Sequence, residues 1–167
     1  MTENGVMKLE SRDGTRFEMG IAGYQYPEFE EGQQIEDRNW LLADVEAVDA
    51  EGRAWRIVDP SLTAGELARL VGWLENFGNL KSDPVSICFM EPCLSFEAAR
   101  DGLYLFTVFL ESELGRPTGS GSVRERVDSK LHFMLTPAEL SEAAASCRRL
   151  AESYPVRSMP DHLSRED

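Results

Sequence analysis

Apolar and polar residues alternate one for one through most of this chain, and in two stretches the alternation gives way to a spacing of three and four. Phe17, Met19 and Ile21 share one side of a segment that follows the turn signal Arg12-Asp13-Gly14, which predicts an early hairpin with one apolar face. From Trp40 to Val48, Leu41, Ala43, Val45 and Ala47 fall on one face while Asp44 and Glu46 point the other way. The turn Asp49-Ala50-Glu51-Gly52 leads to a partner strand, Ala54 to Val58, expected to stop at Asp59-Pro60 because proline cannot donate to a ladder.

Thr63 and Glu66 stand three apart as in a capping box, and Leu67, Leu70, Val71, Leu74 and Phe77 follow at helical spacing up to Gly78-Asn79, which offers a left-handed end. Val85 to Met90 reads as a buried strand closed by Glu91-Pro92, and Leu94 to Ala98 as a short strand. After the turn Arg100-Asp101-Gly102, Leu103 to Leu110 is apolar on both faces, as expected of a central strand covered on both sides. Glu113 to Ser122 predicts a surface loop and Val127 to Leu135 a last strand. Thr136-Pro137-Ala138-Glu139 repeats the capping signature ahead of a stripe from Leu140 to Tyr154, ended by Pro155. No internal repeat or boundary is visible between Met7 and Arg157. The expected fold is α+β, one domain over residues 1–157 with a mainly antiparallel sheet and two packed helices, then a polar, mobile tail over 158–167.

At 167 residues and 42% hydrophobic content the chain is long enough for one real core. No apolar run approaches the ~20 residues of a membrane span. The start, Met1-Thr2-Glu3-Asn4-Gly5, lacks the basic-then-apolar pattern of a secretory signal, which predicts a cytoplasmic protein. Thirty acids against 17 bases give a net charge of −13, a surface that repels nucleic acid and anionic membranes and attracts a basic partner. The acids are uneven: nine lie between Glu28 and Glu51 (Glu28, Glu30, Glu31, Glu36, Asp37, Asp44, Glu46, Asp49 and Glu51) against one base, Arg38.

Catalytic chemistry is harder to place. Cys88, Cys93 and Cys147 fall in apolar surroundings, as reduced core cysteines do, and with only His132 and His162 at a distance they form no metal-ligand spacing. His132 alternates with Leu131 and Phe133 as an ordinary strand residue, and His162 falls in the tail. No nucleophile, base and orienting group can be assembled, so no catalytic residue, metal or cofactor is expected. Glu91 and Glu97 flank a strand, where a carboxylate is more often a turn acceptor than an acid-base pair. Arg124, Arg126 and Lys130 are interrupted by Glu125 and Asp128, and Gly119 and Gly121 lack the context of a phosphate loop.

Four segments are specific when taken together: Asp37-Arg38-Asn39-Trp40-Leu41; Asp59-Pro60-Ser61-Leu62-Thr63 with Glu66-Leu67; Glu91-Pro92-Cys93-Leu94-Ser95-Phe96; and Tyr154-Pro155-Val156-Arg157. In this order and spacing, over about residues 35–157, the chain resembles the WapI family of bacterial immunity proteins. It departs from the family pattern at Cys93, where asparagine is frequent, and at Val156, where a second proline is common. The resemblance implies a non-enzymatic protein that neutralises a cytotoxic nuclease domain, typically one directed at tRNA and delivered between competing cells, by binding it in the producing cell. It supplies no catalytic residue, and Asp37, Asn39, Trp40, Asp59, Pro60, Glu91, Pro92, Phe96 and Arg157 read first as motifs of folding, through turns and caps. A toxin that grips RNA needs a basic cleft, which concentrated carboxylates complement. The binding face is therefore expected to use Glu28, Glu30, Glu31, Glu36, Asp44 and Glu46, with Tyr24, Tyr26 or Phe29 as aromatic anchors, although Tyr24 and Tyr26 are equally explained by core or loop packing. The alternative is a small acidic adaptor that binds an endogenous protein; the oligomeric state is left open.

Overall fold

The computed structural model describes residues 5–119 and 125–158. Strands β1 (Met7–Glu10), β2 (Arg16–Tyr24), β3 (Trp40–Val48) and β4 (Ala54–Thr63) form a four-stranded antiparallel meander that runs straight into helix α1 (Ala64–Glu75). A second meander follows, from β5 (Val85–Cys88), β6 (Leu94–Asp101) and β7 (Leu103–Leu110) to β10 (Ser129–Leu135), and runs into helix α2 (Pro137–Ser153). Between β7 and β10 sits a small hairpin of β8 (Arg116–Thr118) and β9 (Glu125–Val127).

The α+β class and the two packed helices hold, but the expected single sheet is two sheets of four strands, and the chain is a ββββα unit traced twice. Alternation reports which face of a strand is buried and not which strand it pairs with, so the break between sheets is invisible in it. The cause of the break is local. Thr63 is both the last residue of β4 and the N-cap of α1, so the chain leaves the first sheet at its edge with no turn to return it. Thr136 plays the same part after β10. In each box the threonine hydroxyl accepts the N3 amide at 3.2 Å and the N3 glutamate accepts the threonine amide, at 2.9 Å for Glu66 and 2.7 Å for Glu139. Such a cap contributes about 1 kcal/mol.

The two sheets and two helices bury a single apolar cluster. Phe17 of the first sheet meets Phe96 of the second edge-on at 5.8 Å, and Trp73 of α1 packs over Phe96 and Phe106. The helices pack on each other and are pinned by Arg148, whose guanidinium holds both carboxylate oxygens of Glu75 at 2.6 and 2.7 Å. Trp55 adds a link from β4, its indole N–H donating to the Leu114 carbonyl at 3.1 Å in a buried setting.

Several boundaries differ from the pattern reading. β4 does not stop at Asp59-Pro60 but continues to Thr63. It is an edge strand, where the missing proline N–H faces no neighbour, and the register slips there so that Leu42 faces Pro60 and Leu41 faces Leu62. α1 ends at Glu75 and Phe77–Asn79 is a 3-10 turn, with no left-handed glycine at Gly78. β5 stops at Cys88, which is exposed rather than core. β7 is covered on one face only, leaving Leu103 and Leu105 outside. The loop expected from Glu113 holds a 3-10 turn (Ser112–Leu114) and β8; Ser120 to Ser122, like the tail from residue 159 with His162, lies outside the described residues.

Candidate functional site

The acid-rich segment between β2 and β3 is not a loose loop at its root. β2 carries an extra residue, Ala22, between the pairs Ile21–Ala43 and Gly23–Leu42, and Gly23 takes a φ of 149° that favours glycine. Past this bulge the Gln25 amide donates to the Trp40 carbonyl at 2.8 Å and closes the base of the segment. A 3-10 turn over Asp37–Asn39 then delivers the chain to β3.

Into this base the C-terminal segment inserts, joining the first and last family motifs. The Asn39 carboxamide pairs with the backbone of Arg157 like a strand, accepting its amide at 2.7 Å and donating to its carbonyl at 3.1 Å. The Arg157 guanidinium donates to the carbonyls of Tyr26 at 2.8 Å, Pro27 at 3.1 Å and Arg38 at 2.9 Å, and it lies 3.8 Å above the centre of the Tyr24 ring. Tyr24 in turn donates its hydroxyl to the Pro155 carbonyl at 2.5 Å and meets Tyr154 edge-on at 5.7 Å. Burial raises the Tyr24 phenol, against the field of Arg157, so it stays a donor. Arg38 lies over Phe29 and donates to the Ser158 carbonyl at 2.5 Å. The Arg157 guanidinium thus satisfies the carbonyls of an irregular turn that has no ladder of its own, and the Arg38 guanidinium ties the same turn to Ser158.

The structure separates the expected binding residues into three groups. Glu28, Glu30, Glu31 and Glu36 are exposed on the segment, and none joins an ion pair among the described residues. Asp44 and Glu46 face outward from β3 beside Arg56, which grips Asp44 with two bonds of 2.8 and 2.6 Å and approaches Glu46 at 3.6 Å. They belong to a charge-compensated face shared with Lys8, Glu10, Arg16 and Glu18. Tyr24 is built into the clamp, whereas the Tyr26 side chain is 38% exposed. Phe29 is half-buried under Arg38.

The middle motifs are placed apart from this base. Ser61 donates to the Asp59 carboxylate at 3.0 Å within the bulged end of β4. Glu66 reaches beyond its capping box to accept the Met90 amide at 2.6 Å, tying α1 to the turn in which Glu91 and Pro92 lie exposed. Phe96 is fully buried. Burial raises the Cys93 thiol, an effect opposed by Ser61 and added to by Asp59, Glu91 and Glu113, so this acidic corner holds a thiol and not a thiolate. No group of three metal-binding side chains occurs among the described residues. His132 sits in a strand, with Nδ1 3.1 Å from the Thr107 hydroxyl, in the same cross-strand row as Glu97; Glu91 lies outside that row. The motifs were legible one by one, but nothing in the sequence says that Asn39 and Arg157 meet.

Residues 8–155 match the model of the immunity protein WapI-like family. No curated protein matches the sequence. Among solved structures, the plant transcriptional regulator PBF-2 is similar with a TM-score of 0.42 and 9% identity over 84% of this chain and 76% of that one, too distant to carry an argument.

Proposed function

Because the chain belongs to the WapI-like immunity protein family, we propose that it neutralises a basic nuclease toxin, one that cleaves tRNA, by covering the nucleic-acid cleft with its own carboxylates. It acts in the cytoplasm as a binding protein and not as an enzyme. The observation that carries this reading is the acidic segment: Glu28, Glu30, Glu31 and Glu36 stand exposed without an ion pair among the described residues, on a base ordered by Arg157. Acids left without counter-charge raise the local negative potential, and holding them on an ordered turn reduces the entropy lost on docking. Asp44 and Glu46 contribute less to the long-range field because Arg56 cancels part of it. Tyr26 supplies the exposed ring at the edge of the same base.

The test is the association rate with a tRNase toxin domain captured from lysates with this protein as bait, measured by stopped flow across a salt series. The triple variant E28Q/E30Q/E31Q should associate about tenfold more slowly at low salt, with the difference shrinking as the screening length falls below ~10 Å and thermal stability unchanged. Equal rates at low salt would remove the segment from the binding face. Capture of an endogenous housekeeping protein with no toxin bound would instead favour an adaptor.

A further inference from the structure

The outer faces of the two sheets differ in kind. The first is covered by the ion pairs of Lys8, Arg16 and Arg56 with their neighbouring acids. The second has an apolar row across β10, β7 and β6, Met134–Leu105–Ala99, next to a polar row, His132–Thr107–Glu97. Met134 is 66%, Leu103 56% and Leu105 40% exposed, three large apolar side chains together on a face that no helix covers among the described residues. The β1–β2 turn stands beside this face, with the Ser11 hydroxyl donating to the His132 carbonyl at 3.3 Å, and Ser82 and Pro84 line the other side. The result is a groove of about 830 Å³ with an apolar floor. Its rim carries Glu10, Asp13, Glu97, Asp101 and Glu139 against one arginine, Arg12.

We propose that this groove is a second docking surface, which takes a basic segment of a protein partner with an apolar side chain seated on Met134 and Leu105 and lysines or arginines facing Glu97, Asp101 and Glu139. The charge selects the occupant. A second copy would bring the same acidic rim and a net charge of −13 against itself, and a phosphate-bearing ligand or anionic membrane would meet carboxylates. An exposed apolar patch rimmed by acids is complementary to an apolar anchor flanked by cations. β2 runs nine residues from the groove's side of the fold to the acidic segment, about 27 Å away at ~3 Å per residue. The two surfaces therefore act as independent contacts. That the segment belongs to a toxin rests on the immunity reading; that the groove binds a basic, apolar-anchored segment does not.

Methionine-methyl NMR separates the two. The labelled protein is titrated with a peptide alternating lysine and leucine, with its glutamate-leucine counterpart, and with the toxin domain captured from lysates. The expected result is that the Met134 methyl shifts with the lysine peptide and the toxin, and not with the glutamate peptide. Met90, more exposed than Met134 but on the β5–β6 turn, should stay in place with the lysine peptide, and buried Met7 and Met19 report an intact fold. E97Q/D101N should weaken the lysine peptide at least threefold. An unmoved Met134, equal shifts at Met90, or equal binding of both peptides would overturn the groove assignment. Toxin binding without a Met134 shift would overturn the toxin's use of the groove and leave the immunity reading standing; a Met134 shift with the lysine peptide and no toxin binding would do the reverse.

Discussion

Arg157→Ala tests whether the C-terminal segment holds the acidic one in place. The substitution removes charge-assisted donors to three carbonyls, those of Tyr26, Pro27 and Arg38, and the cation over Tyr24. These carbonyls lie near the surface and can turn to water once released, so each bond contributes at the low end of its range, about 1 kcal/mol. The stacked ring adds roughly 0.5–1 kcal/mol. Against this, a freed arginine side chain recovers about 1.5–2 kcal/mol of rotamer entropy. The net loss is on the order of 2 kcal/mol, which in a chain of this size lowers Tm by roughly 4–8 °C. Arg157→Lys keeps the charge but replaces a planar fork by a point donor, and should recover less than half of the loss. Thermal and denaturant unfolding measure the global term, and hydrogen exchange at Gln25, whose amide closes the base, measures the local one. A Tm change below ~1 °C with unaltered exchange at Gln25, the outcome for an ordinary surface site, would refute the clamp.

Other consequences can be checked on the free protein. Burial would raise the Asp49 carboxyl, but the amides of Arg53 and Glu51, at 2.9 and 3.1 Å, and the Arg53 guanidinium at 2.7 Å outweigh it and hold it below the ordinary 3.8. A carboxyl depressed by folding stabilises above its unfolded value and loses that contribution as pH falls through the folded one, so wild-type stability should fall below about pH 3.8 and Asp49→Asn should flatten that limb in pH-dependent urea titrations. Cys88 is exposed, Cys93 is buried and raised, and Cys147 is pushed up to about 12 by burial; a chromogenic disulfide reagent at pH 8 should therefore titrate one thiol in the native protein and three after denaturation. Trp55→Phe leaves the buried Leu114 carbonyl without its donor and should cost about 1–3 kcal/mol in denaturant unfolding.

What the sequence disclosed is what periodicity and capping encode. Thr63 with Glu66 and Thr136 with Glu139 placed both helix starts to the residue, and Leu41, Ala43, Val45 and Ala47 are buried as the alternation requires. The repeated ββββα order has no signal in the sequence because the two halves share an order of elements and capping chemistry, not residues. Pro60 misled because the rule against proline in a ladder holds for central strands, and β4 lies at an edge. Leu103 to Leu110 misled in the opposite sense: an apolar outer face reads as burial on both sides, yet Leu103 and Leu105 are exposed among the described residues. The acidic segment was plain from its residues, but its order was not, since it depends on contacts about 120 positions away in the chain between Asn39 and Arg157.

These outcomes share a physical logic. A chain with a net charge of −13 must distribute its repulsion, and this one does so unequally. On the first sheet, Arg56 and Lys8 cancel most of the field where strands lie close and like charges would weaken pairing. Glu28, Glu30, Glu31 and Glu36, which join no ion pair among the described residues, stand on the turn between β2 and β3, whose base Arg157 ties down through the Tyr26 and Pro27 carbonyls. On the second sheet, Glu97 and Asp101 of β6 line the groove. Repulsion is thus offset by ion pairs on the first sheet and left standing on the turn between β2 and β3. An even scatter of carboxylates would serve solubility as well, so solubility alone does not account for the uneven one.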